Sequence, residues 1–206
     1  MDYKKIKIQF LSDSFLKKEA DLFRKEFWNN TIPVEIEDII DLKMKMDVIP
    51  VKDLMKQCDA DALINSNWDC IYVDYEKYLD ERYKNRLRFS FAHEIGHFVL
   101  HKSIYSMFGI SNIPDFYKLI DEIPQKEYYS LECQANKFAN YLLIPRENLI
   151  IEKEKAIQDK NNELSRIDAK VLNSYLAIPL SEIFGVSEEA IEIALNETLK
   201  SRYKDF

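Results

Sequence analysis

The alternation of apolar and polar positions predicts a chain that is mostly helical, with a small sheet in its first half. Between Ser12 and Trp28 apolar residues recur every three or four positions, so we expect an amphipathic helix capped by Ser12 or Asp13. Three short stretches have the composition and flanking turns typical of strands, namely 44–51, 62–65 and 70–74. The fold class that follows is α+β, with an antiparallel or mixed sheet of few strands.

The second half of the chain carries longer helical patterns. Apolar residues fill most sides of 87–100 and one arc of 131–143, which predicts two helices that pack against the rest of the protein. The intervening segment 103–127 contains one glycine and two prolines. We interpret it as an irregular loop that either faces the substrate or is mobile.

Pro145 marks the predicted boundary between a core at 1–145 and a helical C-terminal region at 146–206 that packs on it. Within this region, 180–187 followed by a helical run resembles the middle of a helix-turn-helix. The helix that would read DNA, 188–200, carries four glutamates, whose charge repels phosphate groups. We therefore predict a structural or partner-docking module in place of a DNA reader.

The strongest chemical signal is the motif His-Glu-Ile-Gly-His at 93–97. A helix turns once every 3.6 residues, so His93 and His97 lie on one face, about 6 Å apart along the axis. Two imidazoles at this spacing can bind one tetrahedral zinc ion, and Glu94 beside them can reach a water on the metal. The motif predicts two metal ligands and a general base. The alternative is a pair of core histidines bonded to carbonyl oxygens.

Gly96 favours the metal site over that alternative. A glycine inside a helix costs about 1 kcal/mol relative to alanine, so we expect Gly96 to let another backbone or a substrate approach closely. His101, the remaining histidine, lies roughly 12 Å beyond His93 along the axis, too far to share the metal. We interpret it as a helix-end residue that interacts with the last carbonyl groups, or else as a substrate contact.

A third ligand has to come from another part of the chain, and Glu132 is the best candidate. It falls within the apolar arc of its helix, where a carboxylate needs a metal ion or a salt bridge. Two histidines and one glutamate would leave a fourth zinc position open for water. The alternative for Glu132 is a salt bridge with Arg86 or Arg88.

Other polar residues have weaker assignments. Asn136, one turn after Glu132, is placed to orient a metal ligand by a hydrogen bond. Three residues of the same helix are expected to point outward: Gln134, Lys137 and Asn140. Four tyrosines are candidates for stabilising the oxyanion, and the sequence does not separate them: Tyr105, Tyr117, Tyr128 and Tyr129.

The composition is typical of a folded intracellular protein. Hydrophobic residues make up 47% of the chain, and no apolar run approaches the ~20 residues of a membrane span. The first residues do not resemble a signal peptide, and the three cysteines are scattered. We expect a cytoplasmic protein that does not bind membranes. The net charge of −7 also opposes direct binding to nucleic acid.

Two segments together resemble the ImmA/IrrE metallopeptidases: RFSFAHEIGHFVLH at 88–101 and ECQANKFANYLLIP at 132–145. The resemblance implies a zincin-like, gluzincin-type fold and a Zn²⁺-dependent endopeptidase. In it His93, His97 and Glu132 match the zinc ligands, and Glu94 matches the general base. The family commonly has glutamate where this chain has Gln134, an outward position by our reading, so the difference carries little weight.

Known members of that family cleave a helix-turn-helix repressor and so relieve transcriptional repression. The resemblance therefore predicts a protein substrate of this kind. The alternative is a non-catalytic module that binds a partner and uses the metal only structurally. Replacing Glu94 separates the two, because only the enzyme needs its carboxylate.

Overall fold

The computed structural model describes residues 3–158 and 168–202. Within them the helices are α1 (Asp13–Phe27), α2 (Ile36–Asp38), α3 (Leu54–Cys58), α4 (Tyr75–Tyr78), α5 (Lys84–Leu100), α6 (Lys102–Phe108), α7 (Ile113–Glu122), α8 (Gln125–Leu143), α9 (Arg146–Gln158), α10 (Ala169–Phe184) and α11 (Glu188–Arg202). The strands are β1 (Asp47–Val51), β2 (Ala62–Ile64) and β3 (Cys70–Asp74). None of the helices in these residues has the length and apolar character needed to cross a bilayer.

The three strands form a mixed sheet in the order β1-β3-β2. β1 pairs with β3 in parallel, and β2 pairs with β3 antiparallel, so β2 is an edge strand. All three strands lie where the sequence predicts them, although β1 begins three residues later than expected. The chain before β1 is wound into a wide helical turn, Ile39–Met44, that ends at Lys45 with a φ of 55°. This mostly helical α+β architecture confirms the predicted fold class.

α5 and α8 cross at Gly96, which confirms the expected close approach at this residue. A Cβ atom at Gly96 would lie 3.1 Å from both the Cα atom and the carbonyl oxygen of Ala135. On its other side α8 packs against α1, which begins at Asp13 after the predicted cap Ser12. α8 is therefore covered by α5 on one side and by α1 on the other.

The segment predicted as an irregular loop, 103–127, is helical, so that prediction was wrong. Gly109 ends α6 in the left-handed conformation, with a φ of 60°. Asn112 then caps α7 by accepting a hydrogen bond from the Asp115 amide at 3.0 Å, and Pro114 lies in the first turn of the helix. Glycine, asparagine and proline at such positions are helix-end signals, and here they mark the boundaries of two short helices.

The C-terminal helices α10 and α11 are joined at Gly185, which has a φ of 62°. Two buried arginines link this region to the rest of the protein. Arg88 of α5 donates to the carbonyl oxygens of Gly185 and Val34 at 3.0 and 2.6 Å. Arg146 forms a salt bridge with Glu197 of α11 at 2.8 Å. The division of the chain at residue 145 remains a prediction.

Candidate metal centre

Three donor side chains from α5 and α8 converge at one point. The Nε2 atoms of His93 and His97 lie 3.0 Å apart. The Glu132 carboxylate lies 3.2 Å from His93 Nε2 and 3.6 Å from His97 Nε2. Ligand atoms about 2.0–2.2 Å from a tetrahedral zinc ion are separated by roughly 3.3 Å. The three side chains are therefore spaced much as the ligands of one such ion are, with Oε2 of Glu132 facing His93 and Oε1 facing His97.

The alternative salt bridges for Glu132 are absent among the residues that the structure describes, because both arginines have other partners. Arg86 pairs with Asp61, and Arg88 pairs with Glu35. Glu132 faces the two histidines instead. Burial, and after it the charge of the Glu132 carboxylate, raises the pKa of the nearby Tyr128 phenol.

Asn136 lies beside His93, as the helical spacing predicts. Its Oδ1 atom is 2.9 Å from His93 Nδ1. Because an amide oxygen is only an acceptor, Nδ1 must carry a proton. In the neutral ring the lone pair is then on Nε2, which faces Glu132 and is available for a metal.

A chain of hydrogen bonds fixes the second histidine in the same way. His97 Nδ1 lies 3.0 Å from His101 Nδ1, and His101 Nε2 lies 3.0 Å from Gln134 Oε1. The Gln134 amide nitrogen donates to the Gln9 carbonyl oxygen at 2.8 Å, which sets the orientation of the amide. His101 must therefore donate through Nε2 and accept through Nδ1. His97 then donates from Nδ1 and presents the Nε2 lone pair to the site.

Two expectations about these residues were wrong. Gln134 and Asn140 are buried, whereas Lys137 is exposed as predicted. The N-terminal segment before α1 covers Gln134, and α11 and Arg146 cover Asn140, so a residue outside the apolar arc of α8 can still be buried. His101 does cap α5 through its backbone, but its side chain bonds to His97 and Gln134 and not to the last carbonyl groups. The i, i+4 spacing of His97 and His101 is the signal that could have indicated their contact.

Glu94 is buried next to the donors and is anchored by the edge strand. Its Oε2 atom accepts a hydrogen bond from the Ile64 amide at 2.8 Å, and Oε1 lies 4.0 Å from His93 Nε2. Burial raises the pKa of Glu94 to about 7, although the His93 charge and the Ile64 amide lower it. A carboxyl group with this pKa can accept and release a proton near neutral pH.

The histidines have different pKa values. Burial lowers the pKa of His97 well below its ordinary value. Burial also lowers the pKa of His101 to about 4, against the opposing effect of Gln134. For His93, burial lowers the pKa, but the two neighbouring glutamates raise it to about 9 in the absence of a cation. The two carboxylates thus favour the charged form of His93 at the point where the donor atoms converge.

Two of the four candidate tyrosines line the cleft above these residues, which has a volume of about 170 Å³. They are Tyr105 and Tyr128, and burial raises the pKa of both, so each phenol stays protonated and can donate a hydrogen bond. Tyr117 interacts with Cys58 and Tyr129 with Cys133, and neither lines the cleft.

Comparisons with known proteins agree with this geometry. Residues 78–196 match the family model Peptidase M78, described as the IrrE N-terminal-like domain. A solved structure titled "Mycobacterium tuberculosis transcriptional regulator" has a similar fold, with a TM-score of 0.52 and 15% sequence identity. The similarity covers 88% of this chain but 46% of that one. No curated protein matches the sequence significantly.

The family match covers more than half of the chain and includes both helices that carry the donor residues. It confirms the resemblance to the ImmA/IrrE proteins that the two sequence segments indicate. The chain therefore belongs to the Peptidase M78 family of metallopeptidases.

Proposed function

We propose that the protein is a cytoplasmic, zinc-dependent endopeptidase in which His93, His97 and Glu132 bind the metal. The observation that carries this proposal is the convergence of their donor atoms within 3.0–3.6 Å. The hydrogen bonds that His93 donates to Asn136 and His97 donates to His101 support it, because they direct both Nε2 lone pairs into the site. Imidazole and carboxylate ligands in a tetrahedral set suit zinc.

Glu94 is the proposed general base. A bound zinc ion would polarise the scissile carbonyl and make a neighbouring water more acidic. The Ile64 amide holds Oε2 of Glu94, which leaves Oε1 free to accept the proton of the attacking water. The same carboxyl group then donates this proton to the amide nitrogen as the C–N bond breaks. Tyr105 and Tyr128 supply hydrogen-bond donors for the carbonyl oxygen, on which negative charge develops.

The edge strand β2 is the proposed binding site for the substrate backbone. Asp61 and Asn65 are hydrogen-bonded to β3, and such pairs alternate along an antiparallel ladder. The amide and carbonyl groups of Ala62 and Ile64 therefore point away from β3. The Ile64 amide is used by Glu94, which leaves both groups of Ala62 and the Ile64 carbonyl to pair with an extended peptide.

The proposed substrate is a regulatory protein such as a helix-turn-helix repressor, whose cleavage would relieve transcriptional repression. The likeness to the ImmA/IrrE proteins supports this class. An extended segment that adds to β2 would come from an exposed or unfolded part of the substrate, because a paired strand or helix has no free backbone groups.

The test uses helix-turn-helix regulators encoded beside the gene, each incubated with the purified protein and analysed by intact mass. We expect one regulator to be cut at a single site. A chelator should stop the cleavage, and an equimolar amount of zinc should restore it. Zinc bound at one ion per chain without cleavage of any regulator or of unfolded casein would favour a structural metal in a partner-binding module.

A further inference from the structure

A second concave surface adjoins the candidate active site. This groove, of about 630 Å³, lies between α5, α8 and α11, and we refer to it as the α11 groove. It shares four lining residues with the cleft above the metal donors: Asp61, Phe89, Ser90 and Asn136. The groove therefore adjoins the cleft, and these four residues form the border between them.

The wall formed by α11 is fixed to the core by hydrogen bonds. The Asn140 amide of α8 donates to the Ala190 carbonyl oxygen at 3.0 Å. The Asn85 amide of α5 donates to the Val186 carbonyl oxygen at 3.3 Å. Together with the Arg146–Glu197 salt bridge, these contacts attach α11 and the turn before it to α5, α8 and α9.

The groove offers an apolar contact surface. Phe89 on α5 is partly exposed, and Ile193 on α11 is 49% exposed, whereas the apolar residues next to it in the described part of this helix, 190–195, are buried. Such a patch, rimmed by polar side chains and joined to an active site, is typical of a specificity pocket for an apolar side chain.

The charges of the rim are mostly compensated within the protein. Arg86 pairs with Asp61, Lys137 pairs with Asp13, and Glu197 pairs with Arg146. Glu189 is the exposed carboxylate of the rim that has no ion pair among the described residues. The groove thus favours a basic side chain over an acidic one.

Helix geometry gives the distance between the residues that line the α11 groove and the metal donors. Phe89 and Asn85 precede His93 by one and two helical turns, about 6 and 12 Å along α5. On α8, Asn136 and Asn140 follow Glu132 by the same distances. An extended peptide advances about 3.3 Å per residue, so the groove holds residues roughly two to four positions from the scissile bond.

We infer that the α11 groove binds the substrate segment two to four residues from the scissile bond and selects a large apolar side chain beside a basic one. This inference rests on the proposed peptidase function. It gives the C-terminal region a direct part in substrate selection.

The test compares full-length variants on a synthetic dodecapeptide library, with cleavage sites mapped by mass spectrometry. Ile193→Asp changes the groove, and Ile178→Asp is its control, since Ile178 is 53% exposed on α10 and lies outside the groove. Glu189→Lys is a second, independent change, and the exposed Glu182→Lys on α10 is its control. Thermal unfolding of each variant checks that it folds.

We expect the wild type to enrich Leu, Ile, Phe or Met about tenfold at one position two to four residues from the cut. Ile193→Asp should abolish this enrichment, and Glu189→Lys should turn the accompanying preference from Lys and Arg to Asp and Glu. Both controls should keep the wild-type profile. If Ile193→Asp and Glu189→Lys fold and cleave the library with the sequence preferences of the wild type, the groove inference is wrong but the peptidase function stands. No cleavage by the wild type above the level of Glu94→Gln would overturn the peptidase function as well.

Discussion

Gly96 of α5 lies directly against the backbone of Ala135 in α8, so close that a side chain at position 96 would push the two helices apart by a few tenths of an ångström. A Cβ atom there would be 3.1 Å from the Ala135 Cα atom and carbonyl oxygen. His97 follows Gly96, and Glu132 lies one turn before Ala135. The close approach of the two helices therefore sets the distance between donors on α5 and the donor on α8.

Gly96→Ala should destabilise the protein and weaken its zinc binding. Alanine gains about 1 kcal/mol of helix propensity, but overpacking costs roughly 1–3 kcal/mol. The new methyl group would contact the Cα atom and the carbonyl oxygen of Ala135, which are backbone atoms and cannot rotate away. We therefore expect the free energy of unfolding to fall by about 1 kcal/mol in total. Urea denaturation and zinc titration measure both effects, with the partly exposed Ser90→Ala on the same helix as control. A gain in stability with unchanged zinc affinity would show that the helices can separate freely.

Gln134→Leu should lower zinc affinity about 10- to 100-fold, the usual effect of removing a group that orients a metal-binding histidine. Leucine cannot accept the hydrogen bond that His101 donates through Nε2. His101 is then free to change tautomer, and it no longer holds His97 in the tautomer whose Nε2 lone pair faces the metal. Competition with a chromophoric chelator measures the affinity. Gln125→Leu, an exposed position at the start of α8, is the matched control. Equal affinities for the two variants would mean that the His97–His101–Gln134 chain does not orient the ligand.

The sequence was sufficient for the parts of the site that depend on local geometry. Helical phase within 93–97 places two histidines and a glutamate together, and the apolar arc of α8 directs Glu132 toward them. Gln134 could not be predicted in this way. Its burial depends on the segment around Gln9, more than a hundred residues earlier, which covers α8 only in the folded chain.

The helices α6 and α7 were missed for a different reason. Gly109, Asn112 and Pro114 are common both in loops and at helix ends, and the sequence between them is too short for a clear helical period. The α11 groove also lay beyond sequence analysis, because its walls come from three helices that meet only in the folded chain, through contacts such as the hydrogen bond from Asn140 to Ala190.

Asp61→Asn should make the stability of the protein less dependent on pH. Burial raises the pKa of Asp61, but hydrogen bonds and charges from Arg86 and Lys77 outweigh it, and the net pKa is lowered. A carboxyl group with a lowered pKa in the folded state stabilises the fold above its unfolded pKa of about 3.9. This contribution is lost as the pH falls through the folded-state pKa.

We therefore expect Asp61→Asn to lower the free energy of unfolding by roughly 1–3 kcal/mol at pH 7. Most of this loss should come from the salt bridge with the mostly buried Lys77, because Arg86 is half exposed and its salt bridge is weakened by water. The difference from the wild type should shrink below about pH 4. Urea denaturation between pH 3 and pH 7 measures it, with the exposed Asp121→Asn as control. A difference that stays constant over this range would contradict the assigned pKa shift.

Glu132→Ala should remove the third metal donor, so that zinc is lost during dialysis that the wild type withstands. Cys133→Ala is the matched control, because Cys133 is adjacent in sequence but does not line the cleft. Metal content by mass spectrometry gives the result. One zinc per chain with unchanged affinity in Glu132→Ala would show that another residue completes the site.

The most direct measurement of the central claim is the zinc content and cleavage rate of Glu94→Gln, determined on the same preparation. Glutamine retains an oxygen that can accept the Ile64 amide hydrogen bond, but it cannot take a proton from water. We predict one zinc per chain, as in the wild type, and cleavage reduced about 10²- to 10⁴-fold. Cleavage at the wild-type rate with zinc still bound would contradict the role of Glu94 as the general base and the mechanism built on it.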